Sequence, residues 1–364
     1  MIKSMHIENF KCFKDFDIDL DPFTVLIGPN DSGKTAFLQA LRLLSAVAEH
    51  FNFGKSDLSD FREFPLGVEA VWRNDRSLDV GFRVWGPRDI GSDGQQYVVV
   101  TGRRCTRFKG KLVSESPTGT VTDERSDDQL IQALKSTVGK AGYYRFDPRQ
   151  LRQPSELKKD LLRMSEAGNG LPTFLQGIWG KNRDAFLSLE REFYARLPEY
   201  KRFRLEPKAI PEVQDDGRLG QALYFDTRHG ESLSAESVSD GALITLAFLA
   251  ISHQPDPPNI LLIEEPENGV HHARLAEIIE TLRHLNREKG VQIVLTTHSP
   301  YLLDLAEPEE VRVFAKDEEG AIHQKRLSDH PEVQSLKKHF MTGEIWTSLS
   351  ETQEIRADPG ADLA

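Results

Sequence analysis

Residues Thr24 to Leu41 read TVLIGPNDSGKTAFLQAL. An apolar run ends in a segment holding two glycines, a lysine and a threonine. Beyond it, Phe37, Leu38, Leu41, Leu44, Val47 and Ala48 recur at three- and four-residue spacing, as on one face of a helix. The octet Gly28 to Thr35 fits G-x-x-x-x-G-K-[ST], and its flanks supply the strand and helix that this pattern requires. Glycine lets the backbone wrap a phosphate chain, and a helix N-terminus adds positive potential. Gly28, Asn30, Asp31, Ser32 and Gly33 are therefore the candidate cradle of a nucleotide such as ATP. Lys34 would reach the β and γ phosphates, and the Thr35 hydroxyl would hold magnesium.

Periodicity organises the rest of the chain. Alternation at Ile2, Met5 and Ile7, and again at Phe16, Ile18 and Leu20, predicts a hairpin ahead of a buried strand from Phe23 to Ile27. Between 68 and 113 the runs VEAVWRN, LDVGFRVWG, QQYVVVTG and TRFKGKLV, separated by turn-like segments, predict an antiparallel β element. Helical spacing returns from 128 to 198, as at Phe186, Leu189, Phe193 and Leu197. Further on, ALYFDT precedes a helix from Gly241 to Ile251, a wholly apolar strand from Ile260 to Ile263, a helix stopped at Gly290, and the strand VQIVLTT. Strand, helix, strand with fully apolar strands implies a parallel sheet covered on both faces. The expected architecture is α/β: a P-loop NTPase with a mostly parallel central sheet, an antiparallel β subdomain and a helical insert. Its expected parts are 1–65 and 211–345 for the two halves of the core, 66–127 for the β insert, 128–210 for the helical insert, and 346–364 as a flexible tail.

Three more motifs carry chemistry. ILLIEEPENGVHH, residues 260–272, is a buried strand ending in two acidic residues. Adjacent carboxylates at a strand end can divide two tasks: Glu264 would secure magnesium, and Glu265 would orient or deprotonate the attacking water. His298 in IVLTTHSPYLL ends another apolar strand, on the rim where parallel sheets bind ligands, and would contact the γ phosphate or that water. ESVSDGALITLAFLA, residues 236–250, reads as a capped helix start with Ser237 or Ser239 as the cap, and its exposed N–H groups suit a phosphate on a neighbouring subunit.

Composition excludes several classes. The longest strongly apolar run, ALITLAFLAI, is too short to span a bilayer, and the N-terminus lacks a signal-peptide pattern. With Cys12 and Cys105 as the sole cysteines, there is no disulfide framework or paired-thiol zinc site, and the expected compartment is the cytoplasm. The net charge of -11 is unevenly spread: residues 101–210 carry a net of +8 and residues 301–364 a net of -7. Arg103, Arg104, Arg107, Lys109 and Lys111, with Lys201, Arg202, Arg204 and Lys208, make the central region a candidate nucleic-acid surface.

Taken together and in this order, the four motifs resemble the ATP-binding-cassette superfamily of P-loop ATPases. More narrowly they are similar to the branch containing RecF, structural-maintenance-of-chromosomes heads and the overcoming-lysogenization-defect (OLD) nucleases. VSDGA resembles the signature motif, ILLIEEPENGVHH the Walker B and D-loop, and TTHSP the switch histidine. The double glutamate followed by Pro-Glu-Asn-Gly favours the OLD-like group. The resemblance implies ATP and magnesium held between two heads of a homodimer or higher oligomer. Ser239 and Gly241 of one subunit would complete the Lys34 site of the other, with Asn268 and His271 near the seam. It further implies the ATPase component of a bacterial anti-phage system, acting beside a separate nuclease or toxin. A RecF-like DNA repair or loading ATPase and a nucleotide-binding scaffold are the alternatives. Too few residues follow His298 for the nuclease domain that OLD nucleases carry, there are no long heptads, and no Q-loop glutamine is assigned.

Overall fold

The computed structural model describes residues 1–50, 80–86, 95–101, 112–113, 135–156, 163–209, 219–317 and 319–351. It forms two compact units: Met1–Gly142 with Pro258–Leu262 and Val291–Ala364, and Tyr143–Pro257 with Ile263–Gly290.

In the first unit the opening alternation becomes a hairpin, Ser4–Phe10 paired antiparallel with Phe13–Asp19. Met5 lies opposite Ile18 and Ile7 opposite Phe16, while Val84 and Phe82 of the strand Val80–Gly86 pair with the same two residues from the other side. Cross-strand apolar pairs on one face fix this register, because a slip of one residue would turn them all to solvent. Strands Gln95–Thr101 and Leu112–Val113 extend the sheet.

A second sheet of six strands has the order Ile322–Arg326, Val311–Lys316, Phe23–Ile27, Gln292–Thr296, Ile260–Glu264, Ala141–Tyr144. Phe23–Ile27 runs parallel to both neighbours and is buried at every position, as continuous apolar strands require. At its base, Gln292 donates to Ile2 O at 2.7 Å and to Asp21 O at 3.1 Å, and accepts from Ile2 N at 2.8 Å. Beside it the 1% exposed Arg312 donates to Asp21 Oδ2 at 2.6 Å, Asp19 O at 2.8 Å and Glu309 O at 2.7 Å. Arg312→Ala strands these acceptors, and we expect it to cost about 3 kcal/mol of unfolding free energy. Urea unfolding checks this: the midpoint should fall at constant slope, and a loss below about 1 kcal/mol would mean water satisfies the acceptors.

The second unit packs helices Leu171–Lys181, Arg183–Arg196, Asp240–His253 and His272–Lys289 with an antiparallel sheet that includes Tyr200–Ala209 and Leu219–Thr227. Every residue from Ala242 to Ser252 is buried, so that helix is apolar on all sides. Phe193, Tyr200, Phe203 and Phe225 form an aromatic core, with ring centroids 5.3–6.3 Å apart.

Two expectations need correction. The stretch read as helical from 128 to 210 also contains the strands Ala141–Tyr144, Ser155–Glu156 and Tyr200–Ala209. Ala141–Tyr144 and Ser155–Glu156 are too short to show a period, and the arginines and lysines of Tyr200–Ala209 interrupt its apolar alternation. The first residues of the tail expected from 346 belong instead to the helix Thr342–Glu351, with Ile345 and Leu349 buried, and the rest lie outside the described residues. The runs VEAVWRN and most of TRFKGKLV lie outside the described residues.

Candidate functional site

Phe23–Ile27 delivers the chain to Gly28, whose φ is 153°. A Cβ at Gly28 would stand 2.3 Å from Phe314 O and 2.9 Å from Ser32 Oγ, so this turn closes only around glycine. Gly33 takes φ 90°, and a Cβ there would lie 3.0 Å from Ile322 Cγ1 and 3.1 Å from Cys12 Sγ. Burial pushes that thiol up to about 11, which keeps it protonated at neutral pH. Between the glycines, Asp31 adopts the left-handed region at φ 65°, which short polar side chains tolerate, and accepts from Lys316 Nζ at 3.2 Å.

Lys34 opens the helix Lys34–His50 and is 6% exposed. Its ammonium donates to Gly28 O at 2.8 Å and Pro29 O at 2.7 Å, drawing the loop around itself. Thr35 is exposed in the first turn. Backbone N–H groups at a helix start, a buried cation and an accessible hydroxyl are the donor set of a magnesium-bound phosphate chain, so the residues present fit both groups. A cavity of ≈ 360 Å³ opens beside the loop, walled by Gly28, Pro29, Asn30, Ser32, His298, residues 313–316 and Trp346. His298 is exposed and sits just beyond Gln292–Thr296, where Thr297 Oγ1 accepts from Ser299 N at 2.9 Å and shapes the turn. The first unit thus brings together the loop and His298.

In the second unit, Glu264 is 3% exposed at the end of its strand. Tyr143 Oη donates to its Oε1 at 2.6 Å, and Arg145 Nη1 lies 3.5 Å from its Oε2. Glu265 turns the chain in the left-handed region at φ 46°, and Arg145 Nη2 lies 3.9 Å from its carboxylate. Asn268 Nδ2 donates to Glu265 Oε2 at 2.6 Å, which orients that side chain. His271 caps the helix His272–Lys289, accepting from Ala273 N at 3.4 Å.

Ser239 is the N-cap of Asp240–His253, accepting from Ala242 N at 3.3 Å. Arg152 clamps this start by donating to Asp240 and, at 3.0 Å, to Val238 O. Tyr200, whose phenol is raised above its usual range chiefly by burial, also meets Ser239. A Cβ on Gly241 would lie 3.9 Å from Gly269 O, and one on Gly269 3.2 Å from Ile244 Cδ1. The turn after the acidic pair therefore packs against the helix start that carries Ser239, which gathers Glu264, Glu265, Asn268, Ser239 and Gly241 in one unit.

No motif assigned a role to Tyr143, Arg145, Arg152, Lys316 or Trp346, although the stretch holding the first three bears a faint likeness to the family. The first three sit in YYRFDPRQLR, where alternation is only two residues deep. Of the basic candidates, Arg202 and Arg204 are both engaged by Asp226, at 2.5 Å and 3.1 Å, while Lys201 and Lys208 are exposed. Arg103, Arg104, Arg107, Lys109 and Lys111 lie outside the described residues.

Comparison with known proteins places the chain by family and fold. The family profile described as "AAA domain, putative AbiEii toxin, Type IV TA system" matches residues 101–304, and that of the AAA ATPase domain matches residues 1–80. The chain is 20% identical over 390 residues to the OLD nuclease of Thermus scotoductus, covering 94% of this chain and 68% of that protein. It is 50% identical over 52 residues to Endonuclease GajA of Bacillus cereus, covering 14% of this chain and only 9% of that protein. Among solved structures, an Smc head bound to the C-winged helix domain of ScpA matches with TM-score 0.56 and 14% identity, over 90% of this chain and 99% of that one. An Smc head domain with an extended coiled coil, bound to the C-terminal domain of ScpA and derived from Pyrococcus furiosus, matches with TM-score 0.55 and 10% identity, over 93% and 99%. At such identities the structural likeness speaks for the fold. Among the described residues no helix is long and apolar enough to cross a membrane.

Proposed function

Because the chain belongs to the AAA-domain ATPase family whose profile spans residues 101–304, we propose that it is an ATP-hydrolysing regulator that works as a dimer and licenses a separate effector. The observation that carries the phosphate-binding part is Gly28, a position that admits no side chain in a loop closed by the Lys34 ammonium. In this reading Gly28, Asn30, Asp31, Ser32 and Gly33 wrap the phosphates of ATP and Lys34 neutralises the β and γ groups. Thr35 and Glu264 would hold magnesium, which when bound would supply charge neutralisation for the phosphates. Glu265, oriented by Asn268, takes the proton of the attacking water, and His298 contacts the γ phosphate.

Ser239 and Gly241 of one copy would complete the site of the other, with Asn268 and His271 near the seam. The exposed helix start at Ser239 supports this, since its N–H groups suit an incoming phosphate. The effector would be a nuclease or toxin, as the names of the relatives and of the matching family suggest, and the setting a bacterial anti-phage response in the cytoplasm. A RecF-like DNA-binding ATPase is the second reading: Lys201 and Lys208 are exposed, while Asp226 pairs with the neighbouring Arg202 and Arg204.

If two copies share each site, magnesium-dependent phosphate release per chain should rise with protein concentration and then plateau. Turnover per chain that stays flat from nanomolar to micromolar concentration would remove the shared site. Absent turnover at every concentration, with nucleotide bound, would leave a scaffold.

A further inference from the structure

The cavity beside the phosphate loop has a wall that none of the four motifs supplies. Trp346 reaches it from the helix Thr342–Glu351, which is seated by Ile345 and Leu349, 1% and 2% exposed. Thr342 Oγ1 donates to Ala306 O at 2.7 Å and Gly343 N to Asp304 Oδ1 at 2.8 Å. Gly343 comes so close that a Cβ there would stand 2.1 Å from Pro300 O. The helix is therefore pinned to Pro300–Leu303, which begins two residues after His298. His298, in the turn that leads into Pro300–Leu303, and Trp346, on the helix pinned to it, line one cavity.

The chemistry of that cavity is divided. Asn30, His298 and Lys316 bring polar and cationic groups, and Val313 and Trp346 bring apolar surface. Gly28 and Ser32 of the loop line it, whereas Gly33, Lys34 and Thr35, at the helix start, do not. With Lys34 between the β and γ phosphates, a nucleotide bound along the loop would direct only its terminal phosphate toward this space.

We infer that Trp346 walls the compartment that receives the terminal phosphate of a bound nucleoside triphosphate, making Thr342–Glu351 the element that tells triphosphate from diphosphate. The inference rests on reading Gly28 to Thr35 as a phosphate loop. An indole beside Lys316 and the polar groups of Asn30 and His298 excludes water from them and strengthens their pull on an anion, while its N–H remains able to donate. A diphosphate leaves that compartment to water; a triphosphate places an anionic group in it.

Tryptophan emission of the purified chain should change on addition of a non-hydrolysable ATP analogue with magnesium. It should saturate at the Kd that equilibrium dialysis gives for the same analogue, and saturating ADP should produce less than half the change. The triphosphate-specific change should vanish in Trp346→Phe and persist in Trp85→Phe and Trp179→Phe. Trp346→Ala should loosen the triphosphate about tenfold more than ADP. Equal signals from the two nucleotides, or a full signal in a folded Trp346→Phe protein, would overturn the inference. Should that variant not fold, acrylamide quenching of the unaltered chain decides: the analogue should shield emission more than ADP, and equal quenching overturns the claim. Dialysis that finds no nucleotide bound would instead sink the phosphate-loop reading, and this inference with it.

Discussion

Lys34→Ala is expected to weaken ATP binding by roughly 100-fold or more, the equivalent of about 3 kcal/mol from a charged donor set against a triphosphate. Two losses combine. The ammonium is the buried cation of the loop, 6% exposed, and alanine leaves no charge facing the β and γ phosphates. It is also the donor that gathers Gly28 O and Pro29 O, at 2.8 Å and 2.7 Å, so the cradle loses its internal tie. Gly28 and Pro29 both line the cavity, so water can reach them in place of the ammonium, which limits the stability cost to about 1–2 kcal/mol. Calorimetric titration beside a thermal melt separates the two effects. A folded Lys34→Ala protein that binds ATP within about threefold of the original would place the phosphates elsewhere.

Glu265→Gln is expected to lower ATP turnover by about 1,000-fold, within the range a positioned general base contributes, while leaving binding intact. Glutamine keeps the length of the side chain and an oxygen that can accept from Asn268 Nδ2, a contact 2.6 Å long in the present chain. What it lacks is the capacity to take a proton. The left-handed backbone at φ 46° sets the direction of the side chain from the strand end, and this substitution does not alter it. ATP recovered intact from the variant after prolonged incubation, with dimer persisting in light scattering, is the expected result. Wild-type turnover would assign the base elsewhere. Glu264→Gln should differ in kind, since Glu264 is buried and braced by Tyr143 and Arg145: its loss should appear as a raised magnesium requirement.

These two variants probe the parts that the sequence spelled out, and the reason lies in backbone chemistry. A glycine at φ 153° against Phe314 O cannot be anything else, and the lysine and threonine must follow it at fixed spacing to open a helix. Buried strands such as Phe23–Ile27 and Ile260–Glu264 were equally plain because nothing polar interrupts them. Gly290 as a stop and Ser239 as a cap followed from the same local rules.

Where partners are distant in sequence, no local rule reached them. Tyr143 meets Glu264 across 121 positions, and Trp346 joins a cavity whose other walls begin at Ile27. The strand Tyr200–Ala209 was hidden by its own charges: Arg202 and Arg204 are paired to Asp226 on the facing strand, so residues that look like solvent or nucleic-acid contacts serve the sheet. The C-terminal helix was missed for a related cause, because Thr342–Glu351 is short and its apolar residues make sense only once Pro300–Leu303 offers a seat.

The most direct test of the phosphate-loop account is a crystal structure with a non-hydrolysable ATP analogue and manganese in place of magnesium. We predict the triphosphate along Gly28 to Thr35, with an anomalous peak about 2.1 Å from Thr35 Oγ1 and Glu264 close enough to bind the metal or one of its waters. A triphosphate bound away from that loop, or manganese lying out of reach of both side chains, would contradict it.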